Sequence, residues 1–157
     1  MSYRLSERTA RFLHPLRWDG DEPGEEPQVP AHREVYRSRR EPCSVTEASL
    51  DWETHLVALE GDCDLSVAPQ LARALSRVIA NGKARIVVDV TAAEFVDVTI
   101  LSTLLRTHRR VAELGGRLAV VAPTDALRAP FEAAGLDDVL ALCASREDAI
   151  AAAAPAV

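Results

Sequence analysis

Aromatic side chains make up only 4% of this 157-residue chain, so any core it builds must be aliphatic. Hydrophobic residues still reach 48%, which excludes wholesale disorder and leaves Ala, Val, Leu and Ile as the packing material. Lysine is nearly absent: Lys83 is the only one, and the remaining positive charge is arginine. The net charge of −6 argues against a general nucleic-acid binder, which needs a basic face to displace counterions, so no direct nucleic-acid partner is expected. It fits a protein whose partners are other proteins. Cys43, Cys63 and Cys143 are odd in number and far apart, without a CxxC pair or a Cys/His cluster. Neither a disulfide framework nor a metal site is expected, and a reducing cytoplasm is the expected compartment. No apolar run approaches the roughly 20 residues that a membrane span needs, and no signal peptide is expected. Catalytic patterns are missing too. His14, His32, His55 and His108 are scattered, and Ser66, Ser76 and Ser102 have no recognisable base. HExxH, GxSxG, a Walker loop and GxGxxG do not occur. The expectation is a protein that is not an enzyme and carries no cofactor.

The chain divides by composition. Residues 1–43 form an N-terminal extension, expected to be flexible, because GDEPGEEPQVP (residues 20–30) is too rich in Pro, Gly and acid to hold a regular element. Before it, Leu5, Phe12, Leu13 and Leu16 suit one side of a short helix capped by Ser6; after it, HREVYRSRR (residues 32–40) is locally basic. Phe12 and Trp18 leave open a docking arm. From Ser44 the pattern is that of a compact domain to residue 153, with 154–157 as a tail. Two strands, Ser44–Ser49 and Thr54–Glu60, read as an antiparallel edge pair, and Gly61–Leu65 reads as a turn. Ser66 is a candidate N-cap for a helix over Val67–Asn81, with Val67, Leu71, Leu75, Val78 and Ile79 as its buried stripe. Ile86–Val90 is a buried central strand, followed by a loop carrying Thr91, Glu94 and Phe95 and by a helix with Ile100, Leu101, Leu104, Leu105 and Val111 inward. Arg117–Val121, a helix ending near Ala134, a short strand Val139–Leu142 and the helix Arg146–Ala154 complete a β-β-α-β-α-β-α-β-α order. Strands alternating with helices imply an α/β fold with a mixed sheet.

The central stretch, residues 84–110, is where a strand feeds a helix N-terminus with Asp97 and Thr99 at the junction. Backbone N–H groups at such a junction suit an anion or a partner. Asp62, Asp64, Asp89 and Asp97 also fall near strand ends, which raises a receiver-like phosphoacceptor domain as a lesser alternative. That chemistry needs a lysine after the last strand, and Lys83 precedes the central one. A recognition surface explains the acidic turn better, with Thr99 as either a helix-capping residue or a regulated one.

Several motifs in this order resemble the STAS domain of bacterial anti-sigma factor antagonists. They are Gly61-Asp62-Cys63-Asp64-Leu65 with Ala68-Pro69, the strand Ile86–Val90, Phe95-Val96-Asp97-Val98-Thr99-Ile100-Leu101, Gly115-Gly116-Arg117-Leu118, and Phe131–Leu136. The likeness covers about the last two thirds of the chain. It implies a STAS fold: a mixed sheet of four to five strands covered mainly on one face by about four helices. It also implies a protein-binding regulator that holds an anti-sigma factor, commonly a GHKL-type serine kinase, frees a sigma factor and so regulates transcription. In the family the partner phosphorylates the serine after the aspartate, and the complex separates. Here Val98 stands at that serine and Ile100 at the usual glycine, so the phospho-switch is either lost or moved to Thr99. The resemblance makes Asp62, Asp64, Asp97, Val98, Thr99 and Ile100 the expected partner-binding residues, with Thr99 the phosphoacceptor candidate. An unswitched binder is the favoured form, because an acceptor one residue off register is rotated by about 100° on a helix. The alternative is a STAS subunit of an ABC-type lipid-transport complex.

Overall fold

The computed structural model describes residues 41–155, and the readings for the extension (the Ser6-capped helix, the docking arm, the basic segment) lie outside them. Nine elements follow the expected order: β1 (Ser44–Ser49), β2 (Thr54–Cys63), α1 (Ala68–Ala80), β3 (Arg85–Val96), α2 (Val98–Glu113), β4 (Arg117–Val121), α3 (Asp125–Ala133), β5 (Ala141–Cys143) and α4 (Arg146–Ala153). The five strands lie side by side in sequence order. β1 pairs antiparallel with β2, and β2 to β5 run parallel, each parallel step bridged by a helix. This is the mixed α/β sheet that the alternation implied.

The helices do not share the two faces equally. Val57, Leu59, Ile86, Val88 and Val90 meet Leu71, Leu75 and Val78 of α1, Ile100 and Leu104 of α2 and Phe131 of α3 in the main core. Each such side chain contributes about 1.5–3 kcal/mol on leaving water. The opposite face carries a smaller cluster, in which Leu56, Val87, Ala119 and Val121 pack on Ala149 and Ala153 of α4. Alternation explains the division: Val87 faces α4 while Ile86 and Val88 face the larger layer. In α2 the buried hydroxyls of Thr103 and Thr107 donate to the carbonyls of Thr99 and Thr103, both at 2.8 Å, so their burial leaves no orphan donor.

The structure corrects several local readings. β2 continues through Cys63, and β3 continues through Thr91, Glu94 and Phe95 to Val96, where a turn and a loop were expected. Register shifts between Ala58 and Glu60 and between Gly61 and Asp62 permit this, so that Asp62 still pairs with Phe95 and Cys63 with Val96. Gly61 makes the second shift possible. Its φ is 84°, and a Cβ there would lie 2.8 Å from the carbonyl oxygens of both Glu41 and Pro42. β5 begins at Ala141, because Val139 and Leu140 close a turn by donating to the Leu136 carbonyl. Ser66 does not cap α1. Val67 occupies that position without a side-chain bond, and Ser66 instead donates to Asp64.

Among the described residues Asp89 is the one buried carboxylate, 4% exposed. Its Oδ1 accepts from the Thr91 N–H (2.9 Å) and hydroxyl (2.5 Å), and its Oδ2 accepts from Arg146 Nε (2.5 Å), which ties β3 to the start of α4. Burial pushes this carboxyl up, but the bonds from Thr91 and Arg146 outweigh it and hold the group below the usual carboxylate range. A lowered folded value means that the stabilisation is complete above the unfolded pKa of about 4 and is lost as pH falls through the folded one. Asp89→Ala should therefore cost about 2–3 kcal/mol near neutrality and much less in strong acid. Urea denaturation of both proteins across that range measures the convergence, and curves that stay parallel would show that Asp89 does not set the acid limb.

Candidate functional site

The parallel pairing of β2 with β3 ends with Cys63 opposite Val96, so the chain leaves the sheet twice at neighbouring points. The Asp97 N–H donates to the Cys63 carbonyl at 2.9 Å and fixes the two exits together. Asp97 is the N-cap of α2: extended at φ −73° and ψ 156°, its Oδ2 accepts from the Thr99 N–H at 2.9 Å and the Thr99 hydroxyl at 2.5 Å. Asp64 makes the same pattern one strand away, its Oδ1 accepting from the Ser66 N–H at 2.9 Å and hydroxyl at 2.5 Å. Hydrogen bonds from Thr99 hold the Asp97 carboxyl below the usual range. Those from Ser66 do the same for Asp64, against a smaller opposing push from the Asp97 charge. Two ionised carboxylates thus stand close together at one end of the sheet.

Apolar side chains flank them. Val98 is 63% exposed at the first position of α2, and Leu65 is 67% exposed beside Asp64; Phe95 adds 42% exposure. In a chain so poor in aromatics, these residues among carboxylates form the kind of mixed edge that protein partners use. Leu65 and Phe95 were missed as site residues by sequence reasoning, although a leucine in a polar turn with no periodic partner was the available signal.

The expected site residues separate into groups. Asp64, Asp97, Val98 and Thr99 come together at this edge. Thr99 is half-buried, with its hydroxyl turned to Asp97. Ile100 is corrected: it is fully buried in the main core and presents no surface, because two residues along a helix from the exposed Val98 is a turn of about 200°. Asp62 is half-buried within β2, where its N–H donates to the Glu41 carbonyl, so it borders the edge rather than forming it. Lys83 lies at the far end of the sheet, its Nζ donating to Ser49 Oγ and to the carbonyls of Asp51 and Trp52. The receiver-like alternative needed a lysine beside the acids and loses its support. Among the described residues no group of three or more His, Cys, Asp or Glu side chains is placed to hold a metal ion. A groove of about 440 Å³ opens on the α4 side, between Glu60, Asp89, Thr91, Val121, Pro123 and Arg146.

The family model described as "Mlab, STAS domain" matches residues 47–142. The chain belongs to the STAS-domain family. The anti-sigma-F factor antagonist RsfB of Mycobacterium tuberculosis is 28% identical to this STAS protein over 110 residues, covering 69% of the chain and 89% of RsfB. Among solved structures, an anti-sigma factor antagonist from Mycobacterium paratuberculosis superposes with a TM-score of 0.65 at 28% identity, over 71% of this chain and 94% of that one. The Bacillus cell fate determinant SpoIIAA in its phosphorylated form gives a TM-score of 0.57 at 22% identity, over 69% and 98% of the two chains, and shares the fold. No helix among the described residues is long and apolar enough to cross a membrane.

Proposed function

We propose that this STAS domain is an anti-sigma factor antagonist that binds an anti-sigma factor of the GHKL serine-kinase type, releases a sigma factor and so regulates transcription without a phosphorylation switch. The observation that carries the reading is the exposed edge at the ends of β2 and β3, where Leu65 and Val98 stand beside the ionised Asp64 and Asp97. Valine offers no hydroxyl at the exposed position. The next hydroxyl along the chain, on Thr99, is half-buried and already bonded to the helix cap. The 28%-identical anti-sigma factor antagonists support the general role. A second reading, a STAS subunit of an ABC-type lipid-transport complex, is favoured by the same missing hydroxyl, since a permanent subunit needs no release by phosphate.

Affinity purification from the native host separates the two. A GHKL-type kinase together with a sigma factor is the expected recovery, and an ABC ATPase in their place would establish the second reading. Leu65→Asp combined with Val98→Asp should lower the kinase affinity at least about tenfold, because it adds charge where partner contact needs apolar surface. Both substitutions are at exposed positions, so folding measured by circular dichroism should be unchanged.

A further inference from the structure

The two edges of the sheet differ. β5 is three residues long, whereas β1 runs for six with β2 on one side only, and among the described residues no strand pairs with its other side. In an antiparallel pair every second residue of an edge strand directs its N–H and C=O outward, which makes such an edge a template for another strand. Exposed edges are commonly blunted by lysine, proline or an unpaired charge, and the sequence SVTEAS of β1 has none of these. Its one charge, Glu47, is taken up by Arg77 of α1, which donates to it at 2.8 Å. The turn that ends the strand is held firmly. Asp51 accepts from the N–H groups of Glu53 and Thr54, and Lys83 Nζ donates to Ser49 Oγ and to the carbonyls of Asp51 and Trp52. On this fixed tip stand Leu50, 44% exposed, and Trp52, whose 81% is the largest exposure of any large apolar side chain among the described residues. A tryptophan on a rigid turn gives up little freedom on contact and suits the role of an anchor.

We propose that a second copy of this chain pairs with β1, antiparallel and about a twofold axis at Thr46, and so joins two five-stranded sheets into one. Symmetry and charge select the register. A twofold axis perpendicular to the sheet keeps every side chain on its own face, so it must pass through a residue that opposes itself. Val45 packs on the main core and Glu47 reaches α1, so these two positions share a face. An axis at Glu47 would set two carboxylates against each other, and one nearer either end of the strand would leave much of it unpaired. At Thr46 hydroxyl meets hydroxyl. Val45 then lies opposite Glu47 of the second copy, and Ser44 opposite its Ala48.

The edge is thus complementary to itself, which is why a second copy is the occupant it fits. In this register no like charges oppose one another along the strand. Each Leu50 comes level with the exposed Pro42 of the other chain, with Trp52 just beyond, so an apolar contact closes both ends of the paired segment. The net charge of −6 acts against the pair only at long range, where salt screens it. The pairing does not depend on the reading of Asp64 and Asp97 as a partner surface.

The experiment sediments the full chain over a wide range of concentration in screening salt. A monomer–dimer equilibrium with a Kd on the order of 10 μM is expected, since a strand pair with two apolar ends is a small interface. Thr46→Lys faces two ammonium groups across the axis and should weaken the pair at least about tenfold, and Trp52→Ser should weaken it about fivefold. Val139→Lys, an exposed apolar position just before β5 at the opposite edge, should leave it unchanged. All three side chains are exposed, so circular dichroism should show the same fold in each variant. Amide hydrogen exchange locates the contact: β1 should exchange more slowly as concentration rises, and β5 should not. A chain that stays monomeric throughout, or association weakened as much by Val139→Lys as by Thr46→Lys, would overturn the proposal. So would protection of β1 that does not change with concentration, which would mean that the same chain covers its own edge.

Discussion

Gly116→Ala should destabilise the domain by about 3 kcal/mol, while Gly115→Ala beside it should cost only about 1 kcal/mol. The order is the reverse of what backbone conformation alone suggests, since Gly115 has a φ of 77° and Gly116 is not among the positive-φ glycines. Space decides it. A Cβ on Gly116 would sit 2.1 Å from the Ala84 carbonyl oxygen, 2.7 Å from Val111 Cγ1 and 2.9 Å from the Ala84 carbonyl carbon, whereas one on Gly115 meets nothing within 4 Å. The neighbours cannot give way cheaply. The Gly116 N–H donates to the Val111 carbonyl at the end of α2 and the Arg117 N–H to the Ala84 carbonyl, both at 2.8 Å, and the second bond leads into the pairing of β4 with β3. Urea denaturation of the two variants compares them directly, with an unchanged slope and a lower midpoint expected for Gly116→Ala. Equal losses at the two positions would mean that the chain relaxes around the added carbon.

The α1 stripe was legible because Val67, Leu71, Leu75, Val78 and Ile79 repeat at helical spacing, and all five are buried. The start of α2 was legible from its apolar spacing, but the cap was placed on Thr99, whereas Asp97 is the N-cap and Thr99 donates to it. The second half of β3 was not legible. In Thr91–Val96 the buried residues are Ala93 and Val96, spaced by three rather than two, because the register shifts in the pairing with β2 break the alternation. Ile100 was misread because the resemblance placed it at a surface glycine of the family, while helix geometry turns it to nearly the opposite side from Val98 and into the core.

Val98→Ser should turn the edge from a surface without an acceptor into a kinase substrate, taking phosphate from near zero to about one group per chain. The side chain at this position is 63% exposed on the first turn of α2, so a hydroxyl placed there faces solvent. A phosphoryl group on it would lie at the positive end of the α2 dipole, so the helix need not unfold. Added beside the ionised Asp97 and Asp64, its charge of about −2 would repel whatever acidic or apolar surface the partner brings, and release of about tenfold or more is the expected consequence. Wild-type protein incubated with the same GHKL-type kinase and ATP should gain no phosphate, because the Thr99 hydroxyl is half-buried, bonded to Asp97 and one residue off register. Intact mass spectrometry with phosphosite mapping, followed by calorimetric titration of each form against the kinase, tests both halves. Stoichiometric phosphate on Thr99 of the wild type would show that the switch had moved along the helix, and a phosphorylated Val98→Ser protein that still binds with undiminished affinity would place the contact surface away from this edge.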